Sequence, residues 1–296
     1  MNKQAVLKLM AEKKIDLIIS AHFSIPDPNL VYLSGIKKGT FEGSSLFLWK
    51  NGKRVFFTSR LEESLAKKQL NCPVITYGKT NKKASQIIKE IVGRARQIGI
   101  DKSGLGVYDF EFLKRILKGK KFLDVSKELS NIRSVKTNEE IKTISKACRI
   151  SSNVAEEIPD IVKIGMTEKQ VAAEMEKRMK EYGGDEIAFP TIVASGPNSA
   201  IPHSIAGDRK IRKGDFVVAD FGCKIDNYCS DITRTFVIGK PSEKQIKIYN
   251  ACYEAQTKCV DMVKEGAKIN SICETAEEIT SKHAKSIHSL GHGLGI

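Results

Sequence analysis

The chain of 296 residues is long enough for one large domain or two ordinary ones, and its 41% hydrophobic and 28% charged residues exclude a disordered or low-complexity polypeptide. No apolar run reaches the roughly 18 residues that a bilayer span needs, and MNKQAVLKLMAEKKIDLIIS alternates charge with apolar residues where a secretory leader would be uniformly apolar, so a cytoplasmic, membrane-free protein is expected. The net charge of +14 would attract phosphates or acidic partners, but the lysines run along the whole chain without an aromatic-interleaved basic block, which argues against nucleic acid.

The predicted elements begin with an amphipathic helix carrying Ala5, Leu7, Leu9, Met10 and Ile15, followed by a strand at DLIIS and a turn-rich stretch, PDPNLVYLSG. SSLFLW and KRVFFTS flank Asn51-Gly52, a strong short hairpin signal. Helical patterns over 59–69 and 81–98 then alternate with short strands at PVITY, IGI and GLGVYD, which predicts a compact α/β domain over residues 1–130. The polar stretch from Asp124 to Asn138 reads as the junction with a second domain, 131–296. That domain opens on a long helix with Ile141, Ile144, Ala147, Cys148, Val154 and Ala155 on one side. A second helix starts at a Thr167–Gln170 capping box. Three β-rich segments follow, FPTIVASG, DFVVADFG and DITRTFVIG, and then two helices capped by Ser242 with Gln245 and by Asn270. The seven cysteines are odd in number and contain no CxxC pair, so they read as reduced thiols.

The chemistry concentrates in DFVVADFGCKIDNYCSDITRTFVIG. A turn centred on Ile225 and Asp226 would put Asp220 directly opposite Asp231, with their Cβ atoms about 5 Å apart. Carboxylates that close repel one another unless a cation or a shared proton lies between them. Aspartates beside hairpins also serve as turn formers, and Asp226 next to Asn227 fits that role. Histidines tilt the balance toward a metal site: His203 lies in the loop SGPNSAIPHS, and His288 and His292 lie four apart in HSLGHGLG. Thr233 and Arg234 are candidates to orient the Asp231 carboxylate. A phosphate cradle at the glycines finds no Gly-Lys-Ser/Thr and no dinucleotide fingerprint beside it.

ADFG, SDITRTF, the upstream PHS and HSLGHGLG together resemble the pita-bread metallopeptidases of the Xaa-Pro dipeptidase (prolidase) and aminopeptidase P type, and PDPNLVYLSG is similar to their creatinase-type N-terminal domain. The resemblance implies an α/β creatinase-like domain followed by an α+β pita-bread domain. It implies that Asp220, Asp231 and His292 are ligands of two divalent ions, manganese, cobalt or zinc, and that His203 and His288 are catalytic residues of the substrate pocket. It also implies hydrolysis of the peptide bond before proline in Xaa-Pro peptides, by a homodimer, with dipeptidase and aminopeptidase both open. Family members continue past HSLGHGLG with another histidine and two glutamates. The domain is therefore expected to be C-terminally incomplete, truncated and inactive as this chain. The alternative function is a non-catalytic pita-bread protein that binds peptide, nucleic acid or a protein partner. A metal-free amidinohydrolase is disfavoured by the presence of Asp220, Asp231 and His292.

Overall fold

The computed structural model describes residues 1–23, 25–79, 81–283 and 289–296. Two compact units emerge: Met1–Lys146 with Ile225–Cys229 and Gly295–Ile296, and Ala147–Lys224 with Ser230–Leu294.

The first unit opens with α1 (Lys3–Glu12), whose N-cap Asn2 accepts a hydrogen bond from the Ala5 amide, and continues into β1 (Leu17–His22). PDPNLVYLSG was expected as turns. Most of it is a helix, α2 (Pro28–Ser34): Asp27 caps it by accepting from the Asn29 amide, Pro28 supplies a preset φ at the start, and Gly35 closes it in the left-handed region at φ 82°. The Asn51-Gly52 hairpin forms between β2 (Ser44–Trp49) and β3 (Arg54–Ser59). Then follow α3 (Glu63–Gln69), β4 (Val74–Tyr77), α4 (Ala84–Val92), β5 (Gln97–Ile100), α5 (Val107–Ile116), β6 (Lys121–Asp124) and α6 (Ser126–Ser134). The strand expected at GLGVYD is absent; Val107 instead starts α5, and the junction segment holds α6.

The six strands make one mixed sheet in the order β4-β3-β2-β1-β5-β6. Its central strands are apolar on both faces, as strands covered on both sides must be. Ile18, Leu46, Leu48 and Phe56 pack in one core with residues of α1, α2 and α6. Leu17, Ile19, Phe47 and Phe57 pack in the other with residues of α4 and α5.

α7 (Asn138–Ile161) leads into the second unit. α8 (Glu168–Glu181) carries the predicted Thr167–Gln170 capping box, with Val171, Met175 and Met179 buried. After the short β7 (Glu186–Ile187) come β8 (Ile192–Ser195), a 3-10 turn over Gly196–Ala200, β9 (Phe216–Phe221), β10 (Cys223–Ile225), β11 (Tyr228–Cys229) and β12 (Ile232–Val237). β12, β9 and β8 form an antiparallel sheet in that order, and β11, β10 and β7 form a second. Along β9, Val217, Ala219 and Phe221 are buried, while Phe216, Val218 and Asp220 are half-buried on the opposite face. α9 (Glu243–Met262) has its Ser242–Gln245 capping box, and α10 (Ile269–Thr280) packs on it through Cys259, Ile272 and Ala276. α10 starts one residue before the expected Asn270 cap; Lys268 occupies the cap position without a side-chain bond. Among the described residues no helix is long and apolar enough to cross a membrane, and none of the seven cysteines is in a disulfide.

Candidate metal and peptidase site

The hairpin that carries the acidic residues turns on Asp226 and Asn227, at φ 50° and 71°, the two left-handed positions of a type I′ turn. The expected centre, one residue earlier, would have forced β-branched Ile225 into that region. The register shifts by two as a result: Asp220 faces Thr233, and Phe221 faces Ile232. Asp231 is therefore not directly opposite Asp220 but its diagonal neighbour. Gly222 makes this turn of the chain possible, because a Cβ there would lie 1.9 Å from the Ser230 carbonyl oxygen.

The carboxylates still meet. Burial is the main influence that pushes the Asp220 carboxyl above its usual range; Thr233 opposes this, and the Asp231 carboxylate, within hydrogen-bonding reach, adds to it. Thr233 Oγ1 donates to Asp220 Oδ1 at 2.8 Å. Thr233 thus orients Asp220, not Asp231 as expected, and Arg234 Nη1 donates to the Thr233 carbonyl at 3.0 Å. His292 Nε2 lies 3.2 Å from Asp231 Oδ2, with the imidazole 70% exposed and the carboxylate 29% exposed. Its Nδ1 lies 2.9 Å from the Gly293 carbonyl oxygen. That contact is the largest cause raising the imidazole's pKa, and Asp231 is the next. A proton on Nδ1 leaves Nε2 aimed at Asp231, the arrangement in which an imidazole shares a cation with a carboxylate.

Two facing carboxylates and one imidazole match a divalent cation in charge and donor type. Among the described residues no three His, Cys, Asp or Glu side chains close into a cage for an ion. His203 sits exposed in the loop after the 3-10 turn at φ 55°, and no hydrogen bond joins it to Asp220, Asp231 or His292. His288 lies outside the described residues.

The sequence reading missed Glu168, which anchors the His203 loop at both ends. Its side chain is fully buried. Oε1 accepts from the Ser195 amide and hydroxyl, both at 2.7 Å, and Oε2 accepts from the Gly207 amide at 3.1 Å. Asn198 Nδ2 donates to both oxygens, and Arg209 reaches the same hydroxyl at 2.6 Å while forking onto Asp215. The capping box marks the start of α8 in the sequence, but nothing local marks its first glutamate as buried.

On the Asp220 face of the sheet, Phe216, Val218, Thr233 and Thr235 line a cavity of about 780 Å³ together with Tyr249 and Tyr253 of α9. Thr233, which holds Asp220, is part of that wall.

The model of metallopeptidase family M24 matches residues 142–296, and that of the creatinase/prolidase N-terminal domain matches residues 3–135. An Xaa-Pro dipeptidase of Pyrococcus furiosus is 34% identical over 296 residues, 99% of this chain and 81% of its own length. The crystal structure of the prolidase from Pyrococcus horikoshii superposes with a TM-score of 0.88 at 33% identity, covering 99% of this chain and 82% of that one. An X-Pro aminopeptidase from Thermotoga maritima gives a TM-score of 0.85 at 29% identity over 95% and 80% of the two chains. The chain therefore belongs to metallopeptidase family M24, with a creatinase-type N-terminal domain preceding the pita-bread domain.

Proposed function

We propose that this protein acts in the metal-dependent hydrolysis of the peptide bond before proline, as an Xaa-Pro dipeptidase or Xaa-Pro aminopeptidase. The observation that carries this reading is the half-buried Asp220 carboxylate facing Asp231, with His292 Nε2 turned onto the latter. The names of the similar prolidases and of the aminopeptidase support it.

In this reading Asp220, Asp231 and His292 hold divalent metal, with manganese, cobalt or zinc all compatible with an oxygen-rich donor set and two ions used in the reaction. The bound metal would supply Lewis-acid polarisation of the scissile carbonyl and make water acidic enough to act as a nucleophile near neutrality. Thr233 fixes the rotamer of Asp220 through its hydroxyl. His203 and His288 serve proton transfer and hold the carbonyl oxygen as charge develops on it. Phe216, Val218, Tyr249 and Tyr253 offer an apolar wall suited to a proline ring.

The creatinase-like domain is assigned to 1–130 and the pita-bread domain to 131–296, in a cytoplasmic homodimer; the odd number of cysteines without a CxxC pair supports reduced thiols. Asp220, Asp231 and His292 alone provide too few carboxylates to neutralise two divalent ions, so turnover is expected to need further donors beside these three.

Thermal melting with added manganese tests the site. The melting temperature of the 296-residue chain is expected to rise with metal, because a ligand at a hundred times its Kd adds about 2.7 kcal/mol to the state that binds it. Asp231→Asn is expected to abolish the rise. A rise undiminished in Asp231→Asn overturns the ligand assignment. A version whose donors are completed by a further histidine and two glutamates is expected to release proline from an Xaa-Pro dipeptide with manganese or cobalt. Failure to do so overturns the activity.

A further inference from the structure

The positive charge is not spread evenly. Residues 1–146 contain 29 Lys and Arg against 14 Asp and Glu, a net of +15, whereas residues 147–296 contain 20 against 21. The even spread expected from the sequence gives way to one strongly basic unit and one that is nearly neutral. An asymmetry of this kind points to a phosphate-bearing partner of the basic part.

Within the first unit, the cations converge at one place. A cavity of about 630 Å³ opens where the β2–β3 hairpin meets the segment between α4 and β5, with Lys53, Arg94 and Arg96 on its rim and Trp49, Ile91 and Ala95 in its wall. Among the described residues no carboxylate lies within ion-pair distance of Lys53, Arg94 or Arg96, and all three are exposed. Lys53 Nζ sits 5.8 Å from the centre of the Trp49 ring.

The rim is held in place. Asp16 Oδ2 accepts from the backbone amides of Arg96 and Gln97 at 2.9 and 3.1 Å, and its Oδ1 takes Lys50 Nζ at 2.9 Å. Lys120 Nζ donates to the Gly93 carbonyl at 2.7 Å, and the Lys121 amide donates to the Arg96 carbonyl at 2.8 Å. The one acidic side chain at the cavity is thus engaged by Lys50 and the backbone, and the arginine segment is fixed at both ends. Exposed cations on an anchored backbone beside an apolar wall suit a ligand that combines phosphates with a planar ring.

We propose that this cavity binds a nucleotide, free or within a single strand, with its phosphates on Arg94, Arg96 and Lys53 and its base against the Trp49 wall. This site is separate from the Asp220–Asp231 centre and does not depend on its function. Trp49 is the chain's single tryptophan and reports the cavity directly.

The test titrates the 296-residue chain with ATP, with an eight-residue deoxythymidine oligonucleotide, and with tripolyphosphate, following Trp49 emission at 50 and 500 mM NaCl. Saturable quenching by ATP, the oligonucleotide or both is expected, weakening at least tenfold at high salt; which of them binds identifies the source. The double variant Arg94→Ala/Arg96→Ala is expected to bind at least tenfold more weakly at an unchanged melting temperature. Lys68→Ala/Lys127→Ala, which removes the same charge from exposed positions outside the cavity, is expected to bind as the parent does. No saturable change with ATP or the oligonucleotide overturns the proposal, as do equal losses in the two double variants. Tripolyphosphate binding as tightly as ATP overturns the assignment of the base to the Trp49 wall.

Discussion

Two buried or half-buried carboxylates show how much a single acidic side chain organises here. The Asp16 carboxyl is lowered to about 2, first by Lys50 and then by the amides of Arg96 and Gln97. Its folded pKa lies below its unfolded one, so its contribution is present above the unfolded value and is lost as pH falls through about 2. Asp16→Asn is expected to cost about 1 kcal/mol at pH 7 after allowance for solvent screening. The gap between variant and parent in urea unfolding should close between pH 4 and pH 2; a gap that stays constant over that range removes the charge from the explanation. Glu168 has no cation bonded to it, yet accepts from Ser195, Asn198 and Gly207. Glu168→Gln replaces an acceptor with a donor against those groups, for an expected loss of about 2–3 kcal/mol. Protease cleavage within 196–207 should accelerate in the same variant. Neither role was legible in the sequence. Asp16 precedes a strand and Glu168 opens a helix in a routine way, and their partners lie 80 and 27 residues away.

At the scale of elements, legibility depended on whether the deciding signal was local. The Asn51-Gly52 hairpin and the Thr167 and Ser242 capping boxes are local, and all three form where expected. α2 also has local signals, Asp27-Pro28 at its start and Gly35 at its end, but three turn-forming residues in one short stretch read as loop. Val107 and Tyr108 in GLGVYD favour a strand, yet α5 starts at Val107, and its later residues are held by packing: Leu113 is buried in the sheet's core with Phe110 and Phe112 packed beside it. The hairpin of the candidate site was misplaced by one residue although Ile225 itself argues against the left-handed region. That slip moved the partner of Asp220 from Asp231 to Thr233. The same hairpin makes a sharp prediction. Gly222→Ala puts a methyl group against the Ser230 carbonyl, so it should either unfold the second unit or force the Asp220–Asp231 pair apart. Loss of the manganese-induced rise in melting temperature, at a cost above about 3 kcal/mol, is the expected outcome. A variant that melts and responds to metal like the parent would show that the hairpin tolerates another path.

For the whole molecule, the division into a creatinase-type unit and an M24 unit was legible from PDPNLVYLSG and SDITRTF, whereas the concentration of positive charge in the first of them was not. The convergence of Lys53, Arg94 and Arg96 was not, because it joins a hairpin to the end of a helix some 40 residues on. One architectural detail bears on how copies behave in bulk. β12 pairs with β9 on one side, and among the described residues its other side has no strand beside it. Ile232–Val237, Ile-Thr-Arg-Thr-Phe-Val, is short, rich in β-branched residues and carries a single charge. Such a rim templates the addition of a like strand from another molecule. Light scattering from concentrated samples should therefore grow faster than linearly with concentration. Arg234→Thr should hasten that growth and Thr235→Lys should slow it, the pair of outcomes expected of a strand whose one charge opposes stacking of like strands.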